Sequence, residues 1–278
     1  LEKNNGGSLT IADEDKNGKL TAEGGIYGAG IGGGYEGEGS NIAITGGEVE
    51  ATGGIGGAGI GGGKNGAGSS IAITGGEVKA TGGKYGAGVG GGLSGNGNHI
   101  TITGGEVKAT GGLNGAGIGG GLWGKGKDIT ISGDAQLKVQ GGVGDYFDGP
   151  GAGIGDGGSR PKESTGGNPI PGTEVEPDTS GLTTNGSIEY YAPGADMEKD
   201  KPEKTTVGTL PPQEKPVEPI EPAEPEQPEA ERGMDAPLYR VTAKDGKDIA
   251  YTAEQKGGVL TVTADEDLAI LTGRLSGI

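Results

Sequence analysis

The chain has no cysteine and a single histidine, so a disulfide framework is excluded and a zinc site would lack its usual ligands. Aromatic residues make up 4% and hydrophobic residues of all kinds 30%, too little for the wide core of a globular domain of 278 residues. No arginine precedes Arg160 and the net charge is −17, which together argue against nucleic-acid binding. No apolar run approaches the roughly 20 residues of a membrane helix, and no signal peptide or lipid anchor is visible, so membrane insertion is not expected. Because the chain opens on Leu1 rather than Met, it is expected to be a fragment or a processed form. What the chain has instead is glycine, 69 residues of 278, without the Gly-X-Y triplets of collagen.

That glycine is periodic. The block GAGIGGG begins at Gly28, Gly57 and Gly115, and as GAGVGGG at Gly86, a spacing of 29 residues. A fixed period of this size marks stacked units, each unable to bury an apolar face alone. Within one unit, Ala29 and Ile31, Ile42 and Ile44, and Val49 and Ala51 sit two apart, the spacing of one side of a strand. Glycine-rich corners separate these runs, and so much interior glycine would cost a helix about 1 kcal/mol per residue. Three strands and three corners per unit predict an all-β fold, a right-handed parallel β-helix with coils about 4.8 Å apart.

The flanks look like degenerate coils. Leu9 and Ile11 keep phase with the second strand, Leu20 and Ala22 with the third, and GAGIGDG returns at Gly151 after 36 residues rather than 29. The β-helix is therefore expected over 1–158. Residues 161–232 hold 13 of the 15 prolines with 16 acidic and 6 basic residues, which predicts an acidic, extended linker over 159–232. Within it, SIEYYAPGADM is an island that could dock. Over 233–278, LYRVT, IAYT, VLTVT and LAILT are short strand candidates. Since GGVLTVTADED echoes GGSLTIADED near the start, this tail is expected to be a small β segment or a solenoid cap.

Several motifs invite chemistry. Gly28-x-Gly30-x-x-Gly33 satisfies a dinucleotide pattern, but it recurs with the solenoid period and opens no helix, so it reads as a corner. Asp13-x-Asp15-x-Asn17-Gly18 begins like a calcium loop, which makes Asp13, Asp15 and Asn17 candidate metal ligands. Loop position 12 is Gly24 rather than an acid, so an extended Asn-Gly corner is the competing reading. Tyr27 and Tyr85 share one repeat position two coils apart, about 10 Å, with Tyr35 and Trp123 on the neighbouring arc; these four are the candidate ligand-binding residues. Glu48, Glu77 and Glu106 beside Glu50, Lys79 and Lys108 read as a solvated face. Asp145, Asp148 and Asp156 cluster where the repeat breaks, the place for paired catalytic carboxylates. With no arginine base before Arg160 and His99 in a loop without a partner motif, no enzymatic activity is expected.

The units GAGIGGG...ITGGEVKATGG, over about residues 24–158, resemble repeats of large secreted or wall-attached proteins of Gram-positive, often gut, bacteria, some of them carbohydrate-binding β-helix proteins. The resemblance implies a noncatalytic adhesin or polysaccharide-binding segment at the cell surface or wall, with a polysaccharide or host surface protein as partner and calcium as an optional ligand. The acidic, proline-rich stretch then suits a spacer, and a monomer is expected. The structural alternative is a passive stalk, and a pectin-type polysaccharide-degrading enzyme is the third reading.

Overall fold

In the computed structural model, residues 1, 7–13, 18–161 and 168–211 are described in full, and 240–242, 251–256, 259–264 and 270–272 as strands. The strands follow the 29-residue period. They are Ser8–Ile11 (β1), Lys19–Glu23 (β2) and Ile31–Gly32 (β3); Gly39–Ile44 (β4), Glu48–Thr52 (β5) and Ile60–Gly61 (β6); Gly68–Ile73 (β7), Glu77–Thr81 (β8) and Val89–Gly90 (β9). Next come Gly97–Ile102 (β10), Glu106–Thr110 (β11) and Ile118–Gly119 (β12), then Gly126–Ile131 (β13), Gln136–Gln140 (β14) and Ile154–Gly155 (β15). Ser187–Tyr191 (β16), Lys204–Val207 (β17), Arg240–Thr242 (β18), Tyr251–Lys256 (β19), Val259–Ala264 (β20) and Ile270–Thr272 (β21) complete the list.

Each strand pairs in parallel with its counterpart one coil away, so three sheets run the length of a parallel β-solenoid. Like stacks on like: Ile44, Ile73, Ile102 and Ile131 form one buried column, and Ile31, Ile60, Val89, Ile118 and Ile154 another. The first coil keeps the expected phase, with Leu9 opposite Ile42 and Leu20 opposite Val49, and the last keeps its pairing one residue out of period, with Leu137 opposite Val107. The third sheet is the narrowest, with two-residue strands, because the chain turns at Gly32, Gly61, Gly90, Gly119 and Gly155, all with φ between 132° and 138°. Two further positions, one on a corner and one inside the strands of the first sheet, take non-glycine residues in the left-handed region once per coil. Glu36, Asn65, Ser94 and Trp123 form one series, and Asn41, Ser70, His99 and Asp128 the other. Asn and Asp tolerate that conformation, whereas a tryptophan there is uncommon.

The expected spacer over 159–232 requires correction over its described part, as does an array ending near 158. Residues 168–211 fold back onto the last coil. Glu174 bridges Gly155, Asp178 bridges Thr130 and Leu182 bridges Gly133. β16 then pairs in parallel with β14, placing Ile188 on Leu137 and Tyr190 on Val139, and β17 closes that sheet antiparallel. This is an irregular further coil. Composition hid it because its prolines and most of its acids lie in the connections, while Leu182, Ile188 and Tyr190 join the solenoid's core. The docking island SIEYYAPGADM is the heart of it. Residues 162–167 and 212–239 of the expected linker lie outside the described residues. At the other end, β20 pairs in parallel with β1 and β19 antiparallel with β20, while β18 and β21 pair with each other.

The cap is tied to the solenoid by charge as well. Glu198 accepts from Lys108 Nζ at 2.9 Å and Lys138 Nζ at 3.1 Å, and these two lysines, the hydrogen bond from Lys108 first, hold its carboxyl below the ordinary 4.5. A depressed carboxylate stabilises the fold above its ordinary pKa, and that contribution is lost as pH falls through the lower folded-state value. Glu198→Gln is therefore expected to lower Tm by about 1–2 °C at pH 7 and to match the parent at pH 3. Thermal melts at both pH values check this, and an equal difference at both would contradict it.

Candidate functional site

Sheet faces in this solenoid are regular and largely self-neutralised. On the outer face of the second sheet Lys19 pairs with Glu48, and Lys79 with Glu50 at 2.6 Å. Exposed pairs like these contribute little. Irregularity is concentrated at corners, and there the aromatic side chains gather into two groups.

The first group joins two of the expected residues through a lysine. Tyr27, on the corner after β2, and Tyr35, on the arc after β3, lie 5.5 Å apart between ring centroids at 51°. Lys64, one coil on, places Nζ 4.6 Å from the Tyr27 centroid and 5.9 Å from that of Tyr35. Such contacts contribute about 0.5–1 kcal/mol at exposed sites. Hydrogen bonding to Glu36 pushes the Tyr35 hydroxyl up from its ordinary pKa of 10.0. Exposed Ile26 precedes Tyr27, and exposed Ile55 follows one coil later at the same position. Tyr85 belongs elsewhere: its ring lies under Lys84 Nζ, at 4.9 Å, and no ring contact links it to Tyr27 among the described residues. Gly56 lies between them in the repeat column, with the Lys64 stem against it.

The second group is built by the break in the repeat. Between β14 and β15 the chain inserts six residues beyond the period, after a single extra residue between β13 and β14, and the added loop carries Tyr146 and Phe147 into solvent, 87% and 62% exposed. Their rings meet edge to face, 5.1 Å apart at 87°. Beside them stands Trp123, 47% exposed, whose indole Nε1 donates to Asp148 Oδ1 at 2.9 Å. The Arg160 guanidinium lies 5.2 Å from the Trp123 ring and 5.8 Å from that of Phe147, bridging insertion and coil. It also donates to both carboxylate oxygens of Asp148, through Nη2 at 3.0 Å and Nε at 3.3 Å.

The support beneath this patch is buried and polar. Asp148 is 3% exposed, and its carbonyl oxygen and that of Gly149 accept from the fully buried Asn114 Nδ2 at 2.8 and 2.9 Å. Asp145 Oδ1 accepts from the backbone N–H groups of Phe147 and Asp148, closing the tip of the loop. These bonds fix the loop so that its rings stay outside without losing their aim. Sequence reasoning found Trp123 but missed Tyr146, Phe147 and Arg160 as its company. The available signal was the 36-residue interval, which located an insertion but not the direction its rings take.

The three aspartates at the break have separate partners. Asp145 closes a turn, Asp148 receives Trp123 and Arg160, and Asp156 accepts from Lys125 Nζ at 2.7 Å and Gly126 N at 3.0 Å. Of the calcium-type residues only Asp13 is described, and its Oδ2 accepts from Gly18 N at 2.8 Å, closing a local turn. Asp15 and Asn17 lie outside the described residues. Among the described residues no group of three or more acidic or histidine side chains converges on a point a metal could occupy. One groove arises only from the capping coil: His99, Thr101, Asp128 and Thr130 on the first sheet face Val175, Glu176 and Asp178. His99 Nε2 is 3.5 Å from Asp128 Oδ2 there, both side chains more than half exposed.

Strand order, register and core define a parallel β-helix repeat protein. A family model described as Beta helix repeat matches residues 16–35, 42–64, 71–93 and 100–122, at the 29-residue spacing of the first four coils. Its matches stop before the last regular coil, β13–β15, with its insertion, and before the capping coil. No curated protein and no solved structure matches the chain.

Proposed function

We propose that this chain is a noncatalytic, extracellular β-solenoid of a bacterial surface that binds a polysaccharide through its exposed aromatic groups. The observation that carries the reading is the insertion patch, in which Trp123, Tyr146 and Phe147 are held exposed by buried polar support from Asp148 and Asn114. Apolar rings beside hydrogen-bonding groups suit the flat C–H faces and rim hydroxyls of sugars. The three carboxylates at the break are each engaged internally, which supports binding rather than hydrolysis. A net charge of −17 disfavours polyanionic polymers such as polyuronates, so the ligand is a neutral glycan.

The experiment is affinity electrophoresis of the full chain through neutral polysaccharides, paired with an assay for new reducing ends. Saturable retardation without new reducing ends is expected, and Trp123→Ala weakens it at least tenfold, the scale of a buried aromatic contact. Release of reducing ends would overturn the noncatalytic reading. A second reading, a passive stalk, draws on the ion pairs Lys19–Glu48 and Lys79–Glu50 on the second sheet's outer face, and retardation absent on every polymer would favour it.

A further inference from the structure

The N-terminal end of the solenoid is closed by the far end of the chain. In the first sheet β20 lies parallel to β1 with Ser8 opposite Val259 and Leu9 opposite Leu260, a sequence separation of 251 residues. The same offset aligns the sequence echo, Gly7-Ser8-Leu9-Thr10-Ile11 with Gly258-Val259-Leu260-Thr261-Val262. Register and resemblance therefore coincide, and β20 occupies the place of a preceding coil's strand. The third sheet ends instead on residue 1, whose amino group donates to the Gly30 carbonyl at 2.6 Å and whose carbonyl accepts from Gly32 N at 2.9 Å. Among the described strands the second sheet ends on β2 with nothing beyond it.

An open parallel edge is a template for any strand of matching pattern. The strand that fills this one arrives as a self-contained unit, because β20 is paired along all six residues with β19, from Tyr251 opposite Ala264 to Lys256 opposite Val259. A hairpin can leave one acceptor and join another without losing its own ladder. Residues 212–250 lie between the capping coil and this hairpin, a contour of at most about 140 Å, against roughly 24 Å for five coils of the stack. A connection longer than its span lowers the effective concentration of the chain's own hairpin, so a neighbouring copy can compete once chains are crowded.

We propose that the β19–β20 hairpin is a donor exchanged between two copies of this chain, each solenoid's N-terminal edge taking the hairpin of another copy. Exchange of an identical element between protomers needs no new interface, since every contact already exists within one chain. Each copy has one donor and one acceptor, so exchange yields closed pairs or open chains of solenoids. For a surface protein, that links neighbours by backbone pairing alone.

The native chain has no cysteine, so introduced thiols report on this contact only. Full-length Ser8→Cys and Val259→Cys single variants are mixed and treated with a short thiol-to-thiol crosslinker at about 10 μM and about 1 mM, the upper value reaching the millimolar effective concentrations of linked sites. Covalent heterodimer is expected to increase steeply with concentration, and the double variant is expected to crosslink within one chain at the lower one. Adding Leu260→Pro, which removes a backbone donor and bars ladder pairing, abolishes the heterodimer. If the double variant crosslinks internally but the mixture yields no heterodimer at the higher concentration, the hairpin is a fixed cap and the proposal fails. It fails equally if the double variant does not crosslink, or if heterodimer survives Leu260→Pro.

Discussion

Gly90→Ala is expected to cost about 3 kcal/mol or more of stability, because strain and overpacking fall on the same atom. Gly90 has φ of 134°, a region that side-chain-bearing residues rarely enter, and a Cβ there would lie 2.1 Å from the Gly119 carbonyl oxygen of the next coil. That oxygen accepts from Gly91 N at 2.9 Å and is part of the ladder joining the two coils. Backbone cannot yield as a flexible side chain can, so the coils must separate or the ladder must break. Because each coil is stabilised chiefly by its neighbours, the loss should spread through the stack as a lower, broader melt. Gly25→Ala is the control: nothing lies within 4 Å of the added methyl, and its melt should follow the parent. Denaturant titrations of both variants by circular dichroism decide the matter, and equal midpoints would contradict coil contact as the source of the glycine requirement.

Ile188→Ala is expected to cost about 2–5 kcal/mol, the usual range for emptying a buried aliphatic site. Ile188 is fully buried in β16, opposite Leu137 and within the solenoid's own core cluster. In an extended acidic spacer the same change would alter nothing measurable, so this substitution separates a capping coil from a linker. Thr184→Ala, on an exposed position of the same segment, serves as its comparison. A parent-like melt for Ile188→Ala would return 168–211 to the role of a spacer.

These two positions mark how far the residues alone could be read. The 29-residue interval and the Ile pairs at 42/44, 71/73 and 100/102 led directly to three strands per coil and to like-on-like columns, since period and alternation are local properties. The phases of Leu9 and Leu20 were legible for the same reason. The capping coil was not. Its strand β16 has no repeat partner by spelling, and the prolines around it dominate any window average, although Ile188 and Tyr190 keep the alternation of a strand. At the candidate site, Trp123 and Tyr27 were visible as rare residues on a glycine background. Their partners were not, because Lys64 reaches Tyr27 from the next coil, and Arg160 reaches Trp123 across the insertion. Such contacts depend on where corners aim, which sequence spacing does not encode.

Glycan-array binding of the full chain beside a Tyr146→Ser/Phe147→Ser variant tests the functional account most directly. Both rings are exposed and carry no core contact, so the variant should melt with the parent while losing the partner surface. The account predicts saturable binding to neutral glycans by the parent and at least a tenfold weakening in the variant. Undiminished binding by a variant that melts like the parent, or no binding by the parent to any glycan, would contradict it.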